Sequence, residues 1–217
     1  AESVERAGDK DRAIRLYRGY LERFPDEAAA LERAALLALE AGRAADALAP
    51  LEKVTAASPT AANWAALAEA RSAADDADGA VAAWGRAIEA EPSNAELRLR
   101  RAALLLKAAN YEQAGSDYLA AVKLDGARVE GWNGLAFCLF QVENCPGALR
   151  ALEEAERRGE VKPANLYLRA IMQDKLQMYP EAKVSYEAFV AANPPMEEEL
   201  WKAGQRLQMI ERILRKR

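Results

Sequence analysis

Histidine is missing from this chain of 217 residues, and only two cysteines occur, Cys138 and Cys145. Catalysis by proton transfer or by an activated nucleophile near neutral pH most often recruits an imidazole. Ser-His-Asp and Cys-His arrangements are therefore excluded, as is any zinc site built with histidine. Two thiolates alone cannot complete a tetrahedral site. Equally lacking are apolar runs of the roughly 18 to 20 residues that cross a bilayer, Val-, Ile- and Thr-rich segments with a period of two, and glycine-rich phosphate loops. These absences predict no sheet, no membrane insertion, no catalytic residue, no metal and no cofactor.

Charge of one sign is not concentrated either. The 30 basic and 34 acidic residues leave a net charge of −4 and alternate along the chain. Neutralising several phosphates takes a concentrated basic stripe, so no nucleic-acid partner is expected. The one local basic cluster, Arg212, Arg215, Lys216 and Arg217, is read as complementing the dipole of a terminal helix. The chain starts at Ala1 without Met or a hydrophobic leader, the expectation for a processed mature form or an excised fragment. Compartment stays open between envelope or periplasm and cytoplasm, and the Ala- and Arg-rich usage points to a GC-rich bacterium. Oligomeric state is not readable.

What is present is 51% hydrophobic residues, much of it Ala, the best helix former. The apolar residues recur with a long period. Ala13, Ala47, Ala80, Ala114, Ala148 and Ala182 are spaced by 34, 33, 34, 34 and 34 residues, and four residues after each stands a large side chain: Tyr17, Leu51, Trp84, Tyr118, Leu152 and Tyr186. Twelve residues after each comes a helix stop, Pro25, Pro59, Pro92 and Pro194, with Gly126 and Glu160 in the two copies that lack Pro. A second column of small residues runs in phase through Ala35, Ala68, Ala102, Ala136, Ala170 and Gly204. Each unit thus reads as two helices, with a small residue on each where they approach closely and turn signals between them, as at Ala41-Gly42 and Ala109-Asn110.

This pattern resembles the tetratricopeptide repeat. Trp64-x2-Leu67-Ala68 and Trp132-x2-Leu135-Ala136 match the family's first helix, and Ala80-x3-Trp84 and Ala114-x3-Tyr118 match its second. Arg98 and Arg101 depart from it at the Trp and Leu places of one unit. The resemblance implies an all-α, right-handed superhelix of helix-turn-helix repeats, a single solenoid over 1–217. A partial repeat over 1–27 keeps only Ala1 to Ala7 of its first helix, and full repeats follow at 28–60, 61–94, 95–128, 129–162 and 163–196. A capping helix over 197–217 follows, with Glu197, Glu198 and Glu199 at its start and a buried stripe of Leu200, Ala203, Leu207, Ile210 and Leu214. The amphipathic stretch from Gly8 to Pro25 is then a repeat's second helix and not a membrane-surface helix.

The resemblance also places the fifth, ninth and twelfth residues of each first helix on a concave groove that binds extended or helical segments of other proteins. In the later units these positions turn apolar and aromatic. The candidate partner-binding residues are Leu99, Leu106, Asn133, Phe137, Phe140, Tyr167, Ile171 and Asp174. A tightly wound superhelix that buries these side chains against one another is the competing reading. The clamp by which some family members hold a terminal carboxylate needs Lys and Asn here, and the ninth positions are Leu36, Glu69, Ala103, Phe137 and Ile171. A protein-interaction scaffold for a protein or peptide partner follows, with a structural appendage of a larger assembly, or of an enzyme outside this chain, as the alternative.

Two smaller features are weighed here as well. Asp75-Asp76-Ala77-Asp78-Gly79 lacks the spacing of a calcium loop and falls where a unit turns, so a polar turn is expected. Cys138 and Cys145 lie on paired helices across another such turn, where either two buried thiols or a bridge is compatible with the spacing.

Overall fold

The computed structural model describes residues 1, 4, 8–159 and 161–215. Most of the expected remnant helix at 1–7, the helix stop at Glu160, and Lys216 and Arg217 lie outside the described residues. Twelve α-helices, and no strand, occur among the described residues. They are α1 (Lys10–Leu21), α2 (Ala28–Glu40), α3 (Ala44–Ala57), α4 (Ala61–Ala73), α5 (Ala77–Ala90), α6 (Ala95–Lys107), α7 (Tyr111–Leu124), α8 (Val129–Gln141), α9 (Cys145–Glu156), α10 (Pro163–Lys175), α11 (Tyr179–Ala192) and α12 (Glu197–Leu214). Two compact units, Ala1–Leu104 and Leu105–Arg217, divide the chain within α6.

Both alanine columns are core. Ala13, Ala47, Ala80, Ala114, Ala148 and Ala182 are all 0% exposed, as are Ala68, Ala102, Ala136 and Ala170, while Ala35 is at 1%. Their partners Tyr17, Leu51, Trp84, Tyr118, Leu152 and Tyr186 are buried too. A methyl lets paired helices approach, and the large side chain one turn on fills the space the approach leaves. In the first unit Ala13, Ala35, Ala47, Ala68, Tyr17, Leu51 and Trp84 join one cluster with Ile14, Leu37, Leu67 and Leu97. At the end of the second unit Ala170, Ala182, Tyr186, Phe189, Ala203 and Ile210 form another, with Leu200, Leu207 and Leu214 half-buried against it. Gly204 is different from the alanines of its column, because no heavy atom stands within 4 Å of where its Cβ would be. The close approach expected there is not made.

The turns inside the helix pairs share one backbone device. Gly42, Asp75, Ala109, Glu143 and Gln177 all have positive φ, from 58° to 70°. After each of them the next N–H donates five residues back: Arg43 to Ala38, Asp76 to Arg71, Asn110 to Leu105, Asn144 to Leu139 and Met178 to Gln173, at 2.8 to 2.9 Å. This is a Schellman ending, which satisfies the last carbonyls of the first helix. The following side chain then caps the next helix at three of these turns: Asp76 accepts from Gly79 N–H, Asn110 from Gln113 and Asn144 from Gly147. The acidic run at 75–79 is therefore a turn and cap, and no group of three or more His, Cys, Asp or Glu poised for a metal occurs among the described residues.

Only the first of the five left-handed positions is glycine, and left-handed backbone costs other residues about 1 kcal/mol or more. Ala109→Gly is accordingly expected to raise stability by about 0.5–1 kcal/mol. Urea unfolding monitored by circular dichroism measures it.

Both cysteines are buried and free. Burial pushes the Cys138 thiol up to about 11 from 9.0, and the Tyr118 hydroxyl up to about 12 from 10.0. Burial raises Tyr186 as well. An unfolded chain loses these protons first, so between the unfolded and folded values the native state holds more protons and stability falls as pH rises. The melting temperature should be insensitive to these groups below about pH 8.5 and decline above it. Tyr118→Phe and Cys138→Ala should each flatten that decline in thermal melts taken from pH 8 to 11.5.

Candidate functional site

The surface with the most to offer a partner lies in the second unit, on α8 and α10. Two side-chain contacts tie these helices together. Near their beginnings Asn165 Nδ2 donates to Asn133 Oδ1 at 2.8 Å, and near their ends the Lys175 ammonium stands 5.1 Å from the centroid of the Phe140 ring. Between these ties is Phe137, 38% exposed although it sits among buried Leu135, Ala136 and Cys138. Tyr111, at the start of α7, meets the Phe137 ring edge-on with centroids 6.3 Å apart. Phe140 and Ile171 are half-buried.

Other members of the expected set are engaged elsewhere. Leu99 is only 6% exposed and belongs to the core; Leu106 is half-buried. Tyr167 packs on Phe189 and Tyr186, with ring centroids 4.8 and 6.2 Å away, and burial raises its hydroxyl pKa. Asp174 is consumed by Arg206 of α12, whose Nη2 and Nε donate to its two oxygens at 2.7 and 2.5 Å. That pairing raises the Arg206 pKa. Tyr167, Ile171 and Asp174 thus join the packing of α10 against α11 and α12.

Three residues on or in register with this surface escaped the sequence reading. Trp201, at 67% exposure, holds the fifth position of α12 and so continues the register of Asn133 and Tyr167. Carrying the same count into the last helix finds it. Lys175, the thirteenth residue of α10, and Tyr111, the first residue of α7, lie outside the counted positions.

Nothing in this arrangement activates a nucleophile or poises an acid against a base. The polar groups are two amides, the hydroxyls of Tyr111 and Tyr167, an ammonium ion over a ring, and a carboxylate held by a guanidinium. Such a surface can bury apolar side chains and orient a polar backbone.

Comparison with known proteins agrees with the geometry. A family model described as tetratricopeptide repeat matches residues 1–62. The C-terminal part of a repeat-containing protein of this kind from Cytophaga hutchinsonii superposes with a TM-score of 0.77 at 13% identity, covering 99% of this chain and 87% of that one. The chain has the fold of a tetratricopeptide-repeat protein. YrrB, a tetratricopeptide-repeat protein described as having an unusual peptide-binding site, gives 0.73 at 16% identity, over 86% of this chain and 96% of that one. The Pseudomonas aeruginosa protein pilF gives 0.63 at 22%, over 96% and 86%. No curated protein matches the chain in sequence. These likenesses are of fold, and a tetratricopeptide-repeat fold suits a protein-interaction scaffold.

No helix of the solenoid is long and apolar enough to cross a membrane among the described residues.

Proposed function

We propose that this tetratricopeptide-repeat chain binds a peptide or protein segment across the α8–α10 surface and performs no catalysis. One observation carries the reading: Phe137 offers its ring to solvent from the middle of a helix that is otherwise well packed, with Tyr111 against its edge. Aromatic side chains so placed supply most of the energy at protein interfaces. YrrB shows that a chain of this fold can hold a peptide-binding site. Five two-helix units from 28 to 196 closed by the helix from 197 form the frame of this reading, with Trp201 as a further contact.

A second reading, an appendage that docks through its first helix, draws on α1. Leu16 and Tyr20 of α1 and Phe24 just after its end are 43%, 43% and 53% exposed, and the Tyr20 and Phe24 rings are 4.8 Å apart. Hydroxyl-radical footprinting separates the two. With a peptide selected from a random library or a captured partner bound, Phe137 and Trp201 should lose oxidation while Tyr20 and Phe24 keep it. Protection of Tyr20 and Phe24 alone would favour the appendage.

A further inference from the structure

Charge on the α8–α10 surface is unlike that of the chain as a whole. In the second unit the fifth, ninth and twelfth positions from α8 through α12 are Asn133, Phe137, Phe140, Tyr167, Ile171, Asp174, Trp201, Gln205 and Gln208. Asp174 is the one ionisable carboxylate among them, and Arg206 occupies both of its oxygens. Beside it Lys175 makes no ion pair among the described residues and rests instead over the Phe140 ring. Lys107, at the same place in α6, makes none either. A chain with a net charge of −4 therefore presents, at Lys175, an ammonium without a carboxylate partner among the described residues, directly against the Phe140 ring.

Resting on the peptide-binding reading above, we propose that the segment bound here is acidic and apolar, and that Lys175 selects it by pairing with a carboxylate side chain inside the segment. An ammonium over a ring gives up little when an anion arrives, because the ring face and a carboxylate can contact it from different sides. Phe137 and Phe140 lie one turn apart, about 4.5 Å along the axis, which an extended peptide covers in one or two residues. The carboxylate thus falls within about two residues of the side chain that covers Phe137. A terminal carboxylate is disfavoured as the source, since holding it takes several converging donors and Lys175 stands alone over its ring.

The test uses the whole chain and a bead library of twelve-residue peptides, acetylated and C-terminally amidated, randomised over Glu, Lys, Gln, Leu, Phe and Ser. Peptides whose binding is lost with Phe137→Ala should be enriched in Glu within about two residues of Leu or Phe. For the best such peptide, labelled for anisotropy, Lys175→Gln should weaken binding about three- to fivefold and abolish most of its salt dependence. Lys175→Glu should reverse the preference from Glu to Lys, with unchanged helical signal and melting temperature. Phe137-dependent peptides without acid enrichment, indifferent to Lys175→Gln, would overturn the acidic preference and leave the groove standing. If no selected peptide depends on Phe137, the groove itself fails. Tighter binding of the same peptide with a free terminal acid and Gln in place of Glu would overturn the internal carboxylate in favour of a terminal one. Self-association of the wild-type chain in sedimentation, removed by Lys175→Glu, would overturn it in favour of a second copy.

Discussion

Gly134→Ala is expected to lower the melting temperature by roughly 2 to 12 °C, the equivalent of about 1–3 kcal/mol of overpacking in a chain of this size. Tyr118 of α7 lies across this glycine: a Cβ added to Gly134 would stand 2.4 to 2.6 Å from the ring's Cζ and Cε atoms. Tyr118 is itself buried, so its ring has no free volume to retreat into without disturbing the core around it. Gly19 supplies the control. It sits in α1 with nothing within 4 Å of its would-be Cβ, and Gly19→Ala should stabilise by about 0.5–1 kcal/mol through helix propensity alone. Truncating the ring relieves the clash, so Gly134→Ala should cost much less in a Tyr118→Leu background. That non-additivity marks a pair in contact. Equal losses in both backgrounds would mean that α7 does not pack on α8 in this register.

Sequence was most informative where one constraint is written many times. Six alanines at one spacing predicted six helix approaches, and all six are fully buried. A single helix would have given no such signal, since Ala suits surface and core alike. The turns were less legible. Gly42 announces a left-handed residue, but Asp75, Ala109, Glu143 and Gln177 adopt the same conformation because paired backbone bonds impose it, not because side chains ask for it.

The site was legible only in part, because a helical register says which residues share a face and not how wide a face its neighbours cover. In α6, Ala95, Leu97, Leu99, Ala102 and Leu105 are all buried, an arc of roughly 200° at 100° per residue, far more than a single stripe. Leu99 marks one edge of that arc, just beyond the stripe a narrower count would assign to the core. Asp174 was read as a groove residue on the strength of its position, yet Arg206, thirty-two residues later, reaches across to it. No local count could foresee that. Trp201 was missed for the opposite reason, as the count stopped one helix early.

The central claim is that Phe137 and Phe140 serve a partner more than they serve the fold. Replacing a fully buried Phe with Ala costs about 3–5 kcal/mol, because transfer energy is lost and a cavity is left behind. Phe137 is 38% exposed and Phe140 half-buried under the Lys175 ammonium, so each should cost well below that range. At an interface the same rings act as anchors worth about 2 kcal/mol, or roughly thirtyfold in affinity. The decisive measurement pairs a thermal melt with an anisotropy titration on one protein, the double variant Phe137→Ala and Phe140→Ala. The expected result is a melting temperature lowered by less than about 10 °C, together with affinity for a library-selected peptide weakened about thirtyfold or more. A larger fall in melting temperature would make these rings core, and unchanged affinity at near-native stability would place the binding surface elsewhere on the solenoid.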